Sequence, residues 1–335
     1  MKKFNIAVIG ATGNVGRKLL SILSERKFPV SCIYGVASRA STGKKISFGE
    51  EGVITVESIE NFDFSKVDMI FSCAPENIIK SYLDKALDQG CIIIDKSSAF
   101  RMEADVPLIV PEVNGHLIKP FHKIISSPNC CVIPLVAVLA PLNNASKIKK
   151  IIVSTYQSVS GAGKEGMDEL YNQTKSSFMP DRIPPKIFEK QIAFNVIPKI
   201  GDILDNGDSA EEEKIRQETQ KILGSHIRVS ATCVRVPVFV GHSMSVNIEF
   251  ENDISPQDVL EYLEEEDCIS VATEDRERDF ISPVEAVEED IIYVSRVRGD
   301  VACSKTISLW ISCDNIRKGA ALNAIQIAEL ISAFK

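Results

Sequence analysis

Two adjacent cysteines, Cys130 and Cys131, occupy a position where an extended segment leads into a helix. Apolar residues at 121–125 predict a short strand before them, and the apolar run at 132–142 predicts a helix after them. Asn129 is predicted to cap that helix, because its side-chain oxygen can accept a hydrogen bond from the first turn. The positive end of the helix dipole stabilises a thiolate, so a cysteine here is a candidate nucleophile.

The position does not decide which of the two thiols reacts. Consecutive helical side chains diverge by about 100°, so only one of them can face a given cleft. A cysteine that packs as a small apolar side chain is the competing interpretation, since free cysteine is among the most buried residue types. From position alone, Cys130 and Cys131 therefore remain equal candidates.

A thiol nucleophile needs a group that moves its proton, and the chain has four histidines. His242 is the best placed of them, within a strand-rich region at 226–250. Arg235 precedes it by seven residues, an odd separation that puts the two side chains on opposite faces of a flat strand. The intervening Pro237 and Gly241 predict an edge, bulge or bend that could bring them together.

Two further polar side chains follow predicted strands. Gln157 lies near the end of a strand at 150–159 and could orient a reacting carbonyl, although a glutamine that bonds the backbone is the commoner case. Arg101 follows the strand at 91–95, beyond the edge where open α/β sheets bind ligands. It is a candidate clamp for an anion, with an ordinary surface arginine as the alternative.

A helix is predicted to begin at Ser209, because Ser209 and Glu212 have the spacing of a capping box. Glu211 and Lys214 are three residues apart in it and share one face. Together they could hold the amino group and an anionic group of a zwitterionic substrate. A solvated ion pair is the alternative interpretation.

A glycine-rich turn follows the first predicted strand, residues 4–9, and precedes an amphipathic helix that runs to Glu25. Glycines at such spacings permit a tight turn and let backbone N–H groups approach a pyrophosphate at the helix N-terminus. The strand–turn–helix context indicates a nucleotide site rather than a plain turn. The candidate contacts are Gly10, Thr12, Gly13, Asn14, Val15 and Gly16.

The residues that follow the second predicted strand, 33–37, determine which dinucleotide the site prefers. An NAD site places an acidic residue after this strand to bind the ribose 2′-hydroxyl, whereas basic and hydroxyl residues suit a 2′-phosphate. The residues present are Ser38, Arg39, Ala40, Ser41 and, further on, Lys44. The pattern favours NADP, with a basic surface loop as the alternative.

The elements that must position these residues alternate between strand and helix over the first 128 residues. This alternation predicts an α/β fold with a mostly parallel, doubly wound sheet. The sequence also predicts strands at 54–56, 291–297 and 305–313, a strand and turn at 108–114, longer strands after 150, a polar loop at 294–304 and a closing helix at 317–333.

Composition restricts the possible functions. The 335 residues are 44% hydrophobic, which suits two globular domains, and the net charge of −8 argues against nucleic-acid binding. No apolar run approaches the roughly 20 residues that cross a bilayer, so no membrane insertion is expected. The nine cysteines show no metal-type pairing and no cleavable leader is evident, so we expect reduced thiols, a cytoplasmic location and no metal.

Taken together, the motifs resemble those of the aspartate-semialdehyde dehydrogenase family over essentially the whole chain. The most specific match is the region 229–243, where a cysteine, an arginine and a Gly-His pair occur at fixed spacing. The other matching regions are 10–16, 94–101, 111–114, 126–130, 156–163, 211–214 and 314–329.

The resemblance implies a role for individual residues. Cys130 corresponds to the nucleophile, His242 to the acid/base and Gln157 to the group that orients the nucleophile and the carbonyl. Arg235 corresponds to the clamp on the substrate carboxylate and Glu211 to the group that holds the substrate amine. Phosphate ligands are implied at Arg101, Lys214 and Asn129, and NADP contacts at the glycine turn, Ser38 to Ser41, Ser160, Gly161 and Asn315.

The chain departs from the family pattern at several positions. Ala40 occupies the place where many relatives have arginine, and Arg39 precedes it, which weakens the preference for NADP over NAD. Lys96 replaces the usual asparagine, and Cys131 replaces a serine or threonine. Residues 72–75 replace a glycine-containing turn.

The implied reaction is the reversible NADPH-dependent conversion of 4-phospho-L-aspartate to L-aspartate 4-semialdehyde through a cysteine thioester, in lysine, threonine and methionine biosynthesis. The implied partners are the small-molecule substrate, inorganic phosphate and a second copy of the chain, with a tetramer as the alternative. Two competing functions remain: that of an N-acetyl-γ-glutamyl-phosphate reductase and that of a non-catalytic binding module. The expected architecture is a Rossmann-type NADP-binding domain, residues 1–128 with 314–335, and an inserted α+β catalytic and dimerisation domain, residues 129–313.

Overall fold

The computed structural model describes residues 2–49, 52–180, 182–272, 279–301 and 303–334. The chain forms two compact units, Met1–Asn129 with Ala320–Lys335 and Cys130–Gly319. The sequence analysis placed the domain boundaries at 128/129 and 313/314, and the functions assigned to the two domains remain a prediction. In the part of the chain that the structure describes, no helix is both long and apolar enough to cross a membrane.

The first unit contains a fully parallel six-stranded sheet in the order β5-β2-β1-β6-β7-β8. Its strands are β1 (Phe4–Ile9), β2 (Val30–Ala37), β5 (Glu57–Ser58), β6 (Met69–Ser72), β7 (Ile92–Asp95) and β8 (Ile124–Ser126). An antiparallel hairpin of β3 (Lys45–Phe48) and β4 (Gly52–Thr55) stands apart from it. The helices of the unit are α1 (Asn14–Glu25), α2 (Glu76–Asp88), α3 (Pro111–Asn114) and α8 (Asn323–Ala333).

Strand β1 shows why this sheet has helices on both faces. Its alternate side chains point to opposite faces, and both sets are apolar. Ile6 and Val8 join the core that includes Leu19 of α1, whereas Ala7 and Ile9 join the separate core formed with α2. Complete burial of each such aliphatic side chain stabilises the fold by roughly 1.5–3 kcal/mol. The predicted doubly wound fold is confirmed.

The second unit contains a mixed six-stranded sheet in the order β10-β9-β11-β14-β13-β12. Its strands are β9 (Ile148–Gln157), β10 (Arg228–Arg235), β11 (His242–Phe250), β12 (Ile269–Val271), β13 (Ile292–Asp300) and β14 (Cys303–Cys313). Its helices are α4 (Val132–Ala145), α5 (Gly163–Ser176), α6 (Ala210–Leu223) and α7 (Pro256–Glu264). Strands β9 and β10 are parallel, and β11 is antiparallel to both β9 and β14. The predicted α+β character is confirmed.

Some local details differ from the expectation. Of the strand and turn expected at 108–114, residues 111–114 form helix α3, because a proline at the first helical position suits a helix start. The strand expected at 54–56 is present as β4, but it lies in the two-stranded sheet and not in the parallel one. Residues 294–300 of the expected polar loop belong to β13, and residues 303–304 belong to β14. The closing helix is irregular, since a π-helical segment, Arg317–Leu322, precedes α8.

Candidate active site

The two cysteines lie between the end of β8 and the start of α4, as predicted. The capping residue of α4 is Cys131, whose backbone angles are already near-helical (φ −86°, ψ −33°). The prediction that Asn129 caps the helix is wrong, because Asn129 lies two residues before the capping position. Both thiols nevertheless stand at the positive end of the α4 dipole.

Folding brings Cys130, Cys131 and His242 together. The two sulfur atoms and one imidazole nitrogen all lie within 4.8 Å of one another. Cys131 and His242 are fully buried, whereas Cys130 keeps part of its surface exposed. Of the two candidate nucleophiles, Cys130 is therefore the one that a molecule from solution can reach.

Local interactions favour the thiolate on Cys130. The pKa of Cys130 lies well below its ordinary value, chiefly because the Cys131 thiol donates a hydrogen bond to it. Burial opposes this effect and the electrostatic influence of His242 supports it. The pKa of Cys131 is raised, first by burial and then by the hydrogen bond that it donates. The surroundings of the two thiols thus favour ionisation of Cys130 and the protonated form of Cys131.

The hydrogen bonds of His242 define its tautomer. Its Nδ1 accepts a hydrogen bond from the backbone N–H of Ser158 at 3.0 Å, so the neutral ring carries its proton on Nε2. The Ser158 hydroxyl lies 3.0 Å from the same Nδ1. Nε2 is buried and has no hydrogen-bond partner among the described residues. It is therefore the ring nitrogen left for a reacting group.

Adjacent strand ends bring Arg235, Gln157 and His242 together. Arg235 ends β10 and is paired in register with Gln157 at the end of β9, and β11 begins at His242 on the other side of β9. The chain reverses between β10 and β11 through Gly241, which has φ +94°. The bend expected between Arg235 and His242 is present.

Gly161 lies beside both the guanidinium and the imidazole. A Cβ at this position would lie 2.9 Å from Nη1 of Arg235 and 3.5 Å from Nε2 of His242. Arg235 is buried, and its Nη1 donates a hydrogen bond to the Ser158 carbonyl at 2.8 Å. Burial lowers the pKa of Arg235, and the nearby carboxylate of Glu211 opposes this effect. A side chain at Gly161 would therefore make the Arg235 guanidinium shift.

A second polar chain runs from Thr155 to Lys214. The Thr155 hydroxyl donates to Oε1 of Gln157 at 3.0 Å, and Nε2 of Gln157 donates to Oε1 of Glu211 at 3.1 Å. The ammonium of Lys214 lies 3.5 Å from Oε2 of Glu211. Glu211 and Lys214 share a face of α6, as predicted, and Gln157 joins them through a hydrogen bond that was not predicted. Thr155 was not identified from the sequence.

Helix α6 holds Glu211 in place. The predicted capping box is present, with Ser209 accepting from the Glu212 N–H and Glu212 accepting from the Ser209 N–H. The other carboxylate oxygen of Glu212 accepts a hydrogen bond from the Cys233 N–H of β10 at 2.8 Å. The Glu212 carboxylate thus caps the start of α6 and links this helix to β10.

Asn315 connects the predicted cofactor residues of this unit to the histidine. Its Oδ1 accepts hydrogen bonds from the Gly241 N–H at 2.9 Å and from the Ser158 hydroxyl at 3.2 Å. Its Nδ2 donates to the Ser160 hydroxyl at 3.0 Å. Ser158 was also missed from the sequence, and its position next to Gln157 was the one signal available.

In the first unit, the glycine turn has the compact form that the sequence indicates. Gly10 has φ +80°, and a Cβ on it would lie 2.8 Å from the Cys73 carbonyl oxygen. A Cβ on Gly16 would lie 2.3 Å from the Gly10 carbonyl oxygen. Helix α1 begins at Asn14, directly after the turn, with Gly13 as its capping residue. The first-turn N–H groups of Asn14, Val15 and Gly16 are therefore presented next to Thr12.

The residues predicted to select the dinucleotide follow β2, the neighbour of β1. Arg39, Ala40 and Ser41 form a short 3₁₀ turn, and Ser38 to Ala40 are exposed. Parallel strands end at the same edge of a sheet, so this turn and the glycine turn lie on one edge. The arrangement fits a dinucleotide whose pyrophosphate meets α1 and whose ribose meets Ser38 to Ser41.

The predicted phosphate ligands belong to different units. Arg101 and Asn129 are buried in the first unit, and Lys214 is in the second. Arg101 donates a hydrogen bond to the Lys96 carbonyl at 2.7 Å. The charge of Arg101 also favours the ionised form of Asp95, whose pKa burial raises.

Comparison with known proteins gives a consistent result. Residues 5–120 match the family model "Semialdehyde dehydrogenase, NAD binding domain", and residues 139–318 match "Semialdehyde dehydrogenase, dimerisation domain". The aspartate-semialdehyde dehydrogenase of Rickettsia bellii is 54% identical over 330 residues, which cover 98% of this chain and 97% of that protein. That of Aquifex aeolicus is 42% identical over 333 residues, which cover 98% of both.

Comparison with solved structures gives the same result as the sequence comparisons. Aspartate semialdehyde dehydrogenase II from Vibrio cholerae, complexed with ASA, superposes with a TM-score of 0.96 at 42% identity, covering 99% of both chains. The enzyme from Candida albicans, solved with NADP, has a TM-score of 0.77 at 26% identity, also over 99% of both chains. The chain belongs to the aspartate-semialdehyde dehydrogenase family.

Proposed function

We propose that the chain catalyses the reversible, NADPH-dependent reductive dephosphorylation of 4-phospho-L-aspartate to L-aspartate 4-semialdehyde, which supplies lysine, threonine and methionine biosynthesis. Family membership supports an NADP-dependent oxidoreductase, as the sequence analysis predicted. The observation that carries the catalytic proposal is the partly exposed Cys130, whose pKa is lowered, within 4.8 Å of an imidazole nitrogen of His242.

In this proposal the Cys130 thiolate attacks the acyl phosphate carbon, the C–O bond to phosphate breaks, and a thioester forms on the sulfur. The Nε2–H of His242 donates a hydrogen bond to the oxygen that gains negative charge. When bound, NADPH supplies the hydride that reduces the acyl group. His242 then exchanges a proton with that oxygen as the C–S bond breaks, which returns the thiolate and releases the aldehyde.

The hydrogen bond from Ser158 affects the assumed role of His242. The sequence suggested that His242 removes the thiol proton, which requires an unprotonated Nε2. The Ser158 N–H instead favours the Nε2–H form, and Cys131 already favours the thiolate. We therefore propose that His242 acts mainly on the substrate oxygen.

Substrate recognition is proposed to rest on opposite charges. Arg235 binds the substrate carboxylate through its planar guanidinium, and Glu211 binds the substrate amine. Gln157, held by Thr155 and Glu211, retains one amide N–H for the substrate carbonyl. Arg101, Lys214 and Asn129 are proposed to bind the phosphate. A carboxylate in the position of Glu211 suits a free ammonium, which an N-acetylated substrate lacks.

The cofactor is proposed to bind at the glycine turn and at Ser38 to Ser41, with Ser160, Gly161 and Asn315 contributing from the second unit. The lack of space for a Cβ at Gly10 and Gly16 supports close approach of a pyrophosphate. We assign NADP binding to residues 1–128 with 314–335, and catalysis and dimerisation to residues 129–313. The nine cysteines, all within the described residues and all thiols, support a cytoplasmic location.

The proposed partner is a second copy of the chain. The second unit exposes several large apolar side chains, namely Phe178, Met179, Phe194, Val196 and Ile203. The rings of Phe178 and Phe194 pack edge to face 5.9 Å apart on this surface. The dimerisation-domain match includes these residues. We expect a homodimer by light scattering, and a monomer at micromolar concentration would contradict this part of the proposal.

The decisive experiment follows NADP reduction by absorbance with L-aspartate 4-semialdehyde and phosphate. We expect turnover that requires phosphate and prefers NADP to NAD. N-acetyl-γ-glutamyl semialdehyde serves as the competing substrate and should be turned over poorly. Equal rates with both aldehydes, or no turnover with either, would overturn the assignment.

A further inference from the structure

Cys131 has no covalent role in the proposed reaction, yet its sulfur lies beside that of the proposed nucleophile. Cysteine spacing in the sequence gives no sign of a metal site, because His242 is distant along the chain from the two cysteines. The fold nevertheless brings two sulfur atoms and an imidazole nitrogen within 4.8 Å of one another. Thiolate and imidazole are the ligands that zinc-like cations prefer.

We propose that Cys130, Cys131 and His242 form a binding site for a soft divalent cation such as Zn²⁺. Two properties of the site point to this ligand. The Nε2 of His242 is fully buried and makes no hydrogen bond within the described residues, so a polar atom is available there. Cys130 is partly exposed, which gives a cation a path to the buried pair behind it.

The geometry is close to that of a bound cation. With Zn–S of about 2.3 Å and Zn–N of about 2.0 Å, tetrahedral angles place the sulfurs about 3.8 Å apart and each sulfur about 3.5 Å from the nitrogen. The observed separations of 4.8 Å or less need to shorten by about 1.3 Å at most. Rotation of side chains can supply such a change, and three protein ligands leave a fourth position for water.

The binding step is not a redox reaction. Cys130 coordinates as the thiolate, Cys131 loses its thiol proton to solvent, and two sulfur–metal bonds and one nitrogen–metal bond form. The single proton of the neutral ring moves from Nε2 to Nδ1, because the lone pair of Nε2 must face the metal. The Ser158 N–H must give up its hydrogen bond to Nδ1 in this form. These costs predict exchangeable rather than permanent metal binding.

Occupancy of the site would block Cys130, so Zn²⁺ should act as a reversible inhibitor, a consequence that rests on the proposed function. Metal binding itself does not depend on it. The primary measurement is therefore direct, by competition between the full-length zinc-free protein and a chromophoric chelator. We expect one equivalent of Zn²⁺ in the wild type and at least about 100-fold weaker binding in Cys131→Ser, since a hydroxyl is a poor zinc ligand.

Cys233→Ser is the matched control. Cys233 is a buried thiol close enough to affect Cys130 electrostatically, but it is not part of the three-residue cluster. Its replacement should leave the zinc affinity within about twofold of the wild type. Equal losses in Cys131→Ser and Cys233→Ser, or equal retention in both, would overturn the proposal.

Cobalt(II) gives a spectroscopic test of the ligands. The wild-type complex should show near-ultraviolet thiolate-to-cobalt charge transfer and the intense visible bands of a four-coordinate site. His242→Gln should weaken binding while retaining the charge-transfer band, which provides a second variant if Cys131→Ser misfolds. Weak visible bands without charge transfer would show that cobalt is bound elsewhere, and this would overturn the assignment.

Protection from alkylation separates this proposal from the proposed activity. Zn²⁺ should slow iodoacetamide labelling of Cys130 in the wild type and not in Cys131→Ser, as measured by peptide mass spectrometry. This result is expected whether or not the semialdehyde is a substrate. Zinc binding without inhibition of a turning-over enzyme would remove the inhibitory consequence, and labelling unaffected by zinc would remove the site.

Discussion

The backbone N–H of Ser158 donates a hydrogen bond to Nδ1 of His242 at 3.0 Å. Because a backbone donor cannot become an acceptor, this contact fixes the neutral tautomer of the ring. The Arg235 guanidinium donates a hydrogen bond to the Ser158 carbonyl at 2.8 Å. The backbone of Ser158 therefore orients both His242, the proposed proton-transfer group, and Arg235, the proposed carboxylate clamp.

The role of Cys130 can be tested by Cys130→Ala. Loss of the nucleophile should reduce kcat by a factor on the order of 10⁴ or more, since no other route to the thioester exists. NADPH affinity, measured by fluorescence titration, should stay within about threefold of the wild type. Appreciable turnover in this variant would contradict the thioester mechanism.

The ionisation of Cys130 makes a pH prediction. A thiol whose pKa is lowered keeps its thiolate form to lower pH than an ordinary thiol and loses the charge only as the pH falls through the lowered value. The alkylation rate of Cys130 should accordingly stay high well below the ordinary thiol range. The stabilisation that comes from this ionised form is complete above the unfolded pKa and is lost as the pH falls through the folded one.

Cys131→Ala should shift the pH dependence of Cys130 alkylation to higher pH. It removes the hydrogen bond that contributes most to lowering the pKa of Cys130, so the midpoint of the alkylation profile should rise. Cys313 is buried, and its raised pKa should keep it unreactive in the same peptide map. An unchanged midpoint would show that His242 or α4 controls the ionisation instead.

Arg235→Lys tests the proposed clamp. An ammonium cannot reproduce the two parallel hydrogen bonds of a guanidinium to a carboxylate. We expect KM for the semialdehyde to rise about 10- to 100-fold with a smaller change in kcat. Steady-state kinetics at saturating NADP and phosphate would measure this split, and an unchanged KM would place the carboxylate elsewhere.

Thr155→Val tests whether Gln157 must be held. The variant keeps the side-chain shape and removes the donor to Oε1 of Gln157, at a cost of about 1–3 kcal/mol for the unsatisfied acceptor. We expect kcat/KM to fall by about tenfold or more. Thr219→Val is the matched control, because the Thr219 hydroxyl is also buried but has no hydrogen-bond partner in the described chain. Equal kinetic effects would exclude a positioning role for Thr155.

Gly16→Ala tests the glycine turn. Its Cβ would lie 2.3 Å from the Gly10 carbonyl oxygen, a backbone atom that cannot move aside alone. We expect a loss of about 1–3 kcal/mol in stability, seen as a lower Tm. Gly13→Ala is the control, since its Cβ would lie 3.4 Å from the same oxygen. Similar melting temperatures for the two variants would show that the turn can relax.

The features that were predicted correctly from the sequence are those that local patterns control. The parallel sheet followed from alternating strands and helices, the capping box of α6 from the spacing of Ser209 and Glu212, and the nucleophile region from a strand–helix junction. Pro237 and Gly241 predicted the edge, bulge or bend that lies between Arg235 and His242. These features depend on a few neighbouring residues.

What the sequence missed depends on contacts between distant segments. Ser158 gains its importance from His242, and Thr155 from Gln157 and Glu211, through hydrogen bonds that no local pattern reveals. The cap of α4 was misplaced because backbone angles at Cys131 start the helix after Asn129. The polar residues 298–300 and 303–304 extend β13 and β14 beyond the predicted strands, and their polarity suits a loop as well as an exposed edge.

The attachment of α6 to the sheet through Glu212 has a consequence for changes in specificity. Glu211 is presented by a helix that one neighbouring carboxylate anchors to the backbone of β10, whereas His242 and Arg235 are presented by the strands themselves. In the proposed site, a substitution at Glu211 changes the group that faces the substrate amine and also removes the acceptor of the Gln157 amide, while the capping box and the link to β10 stay intact. Directed evolution toward related β-formyl acids should therefore vary Glu211 together with Gln157 and keep Ser209 and Glu212, which hold the helix.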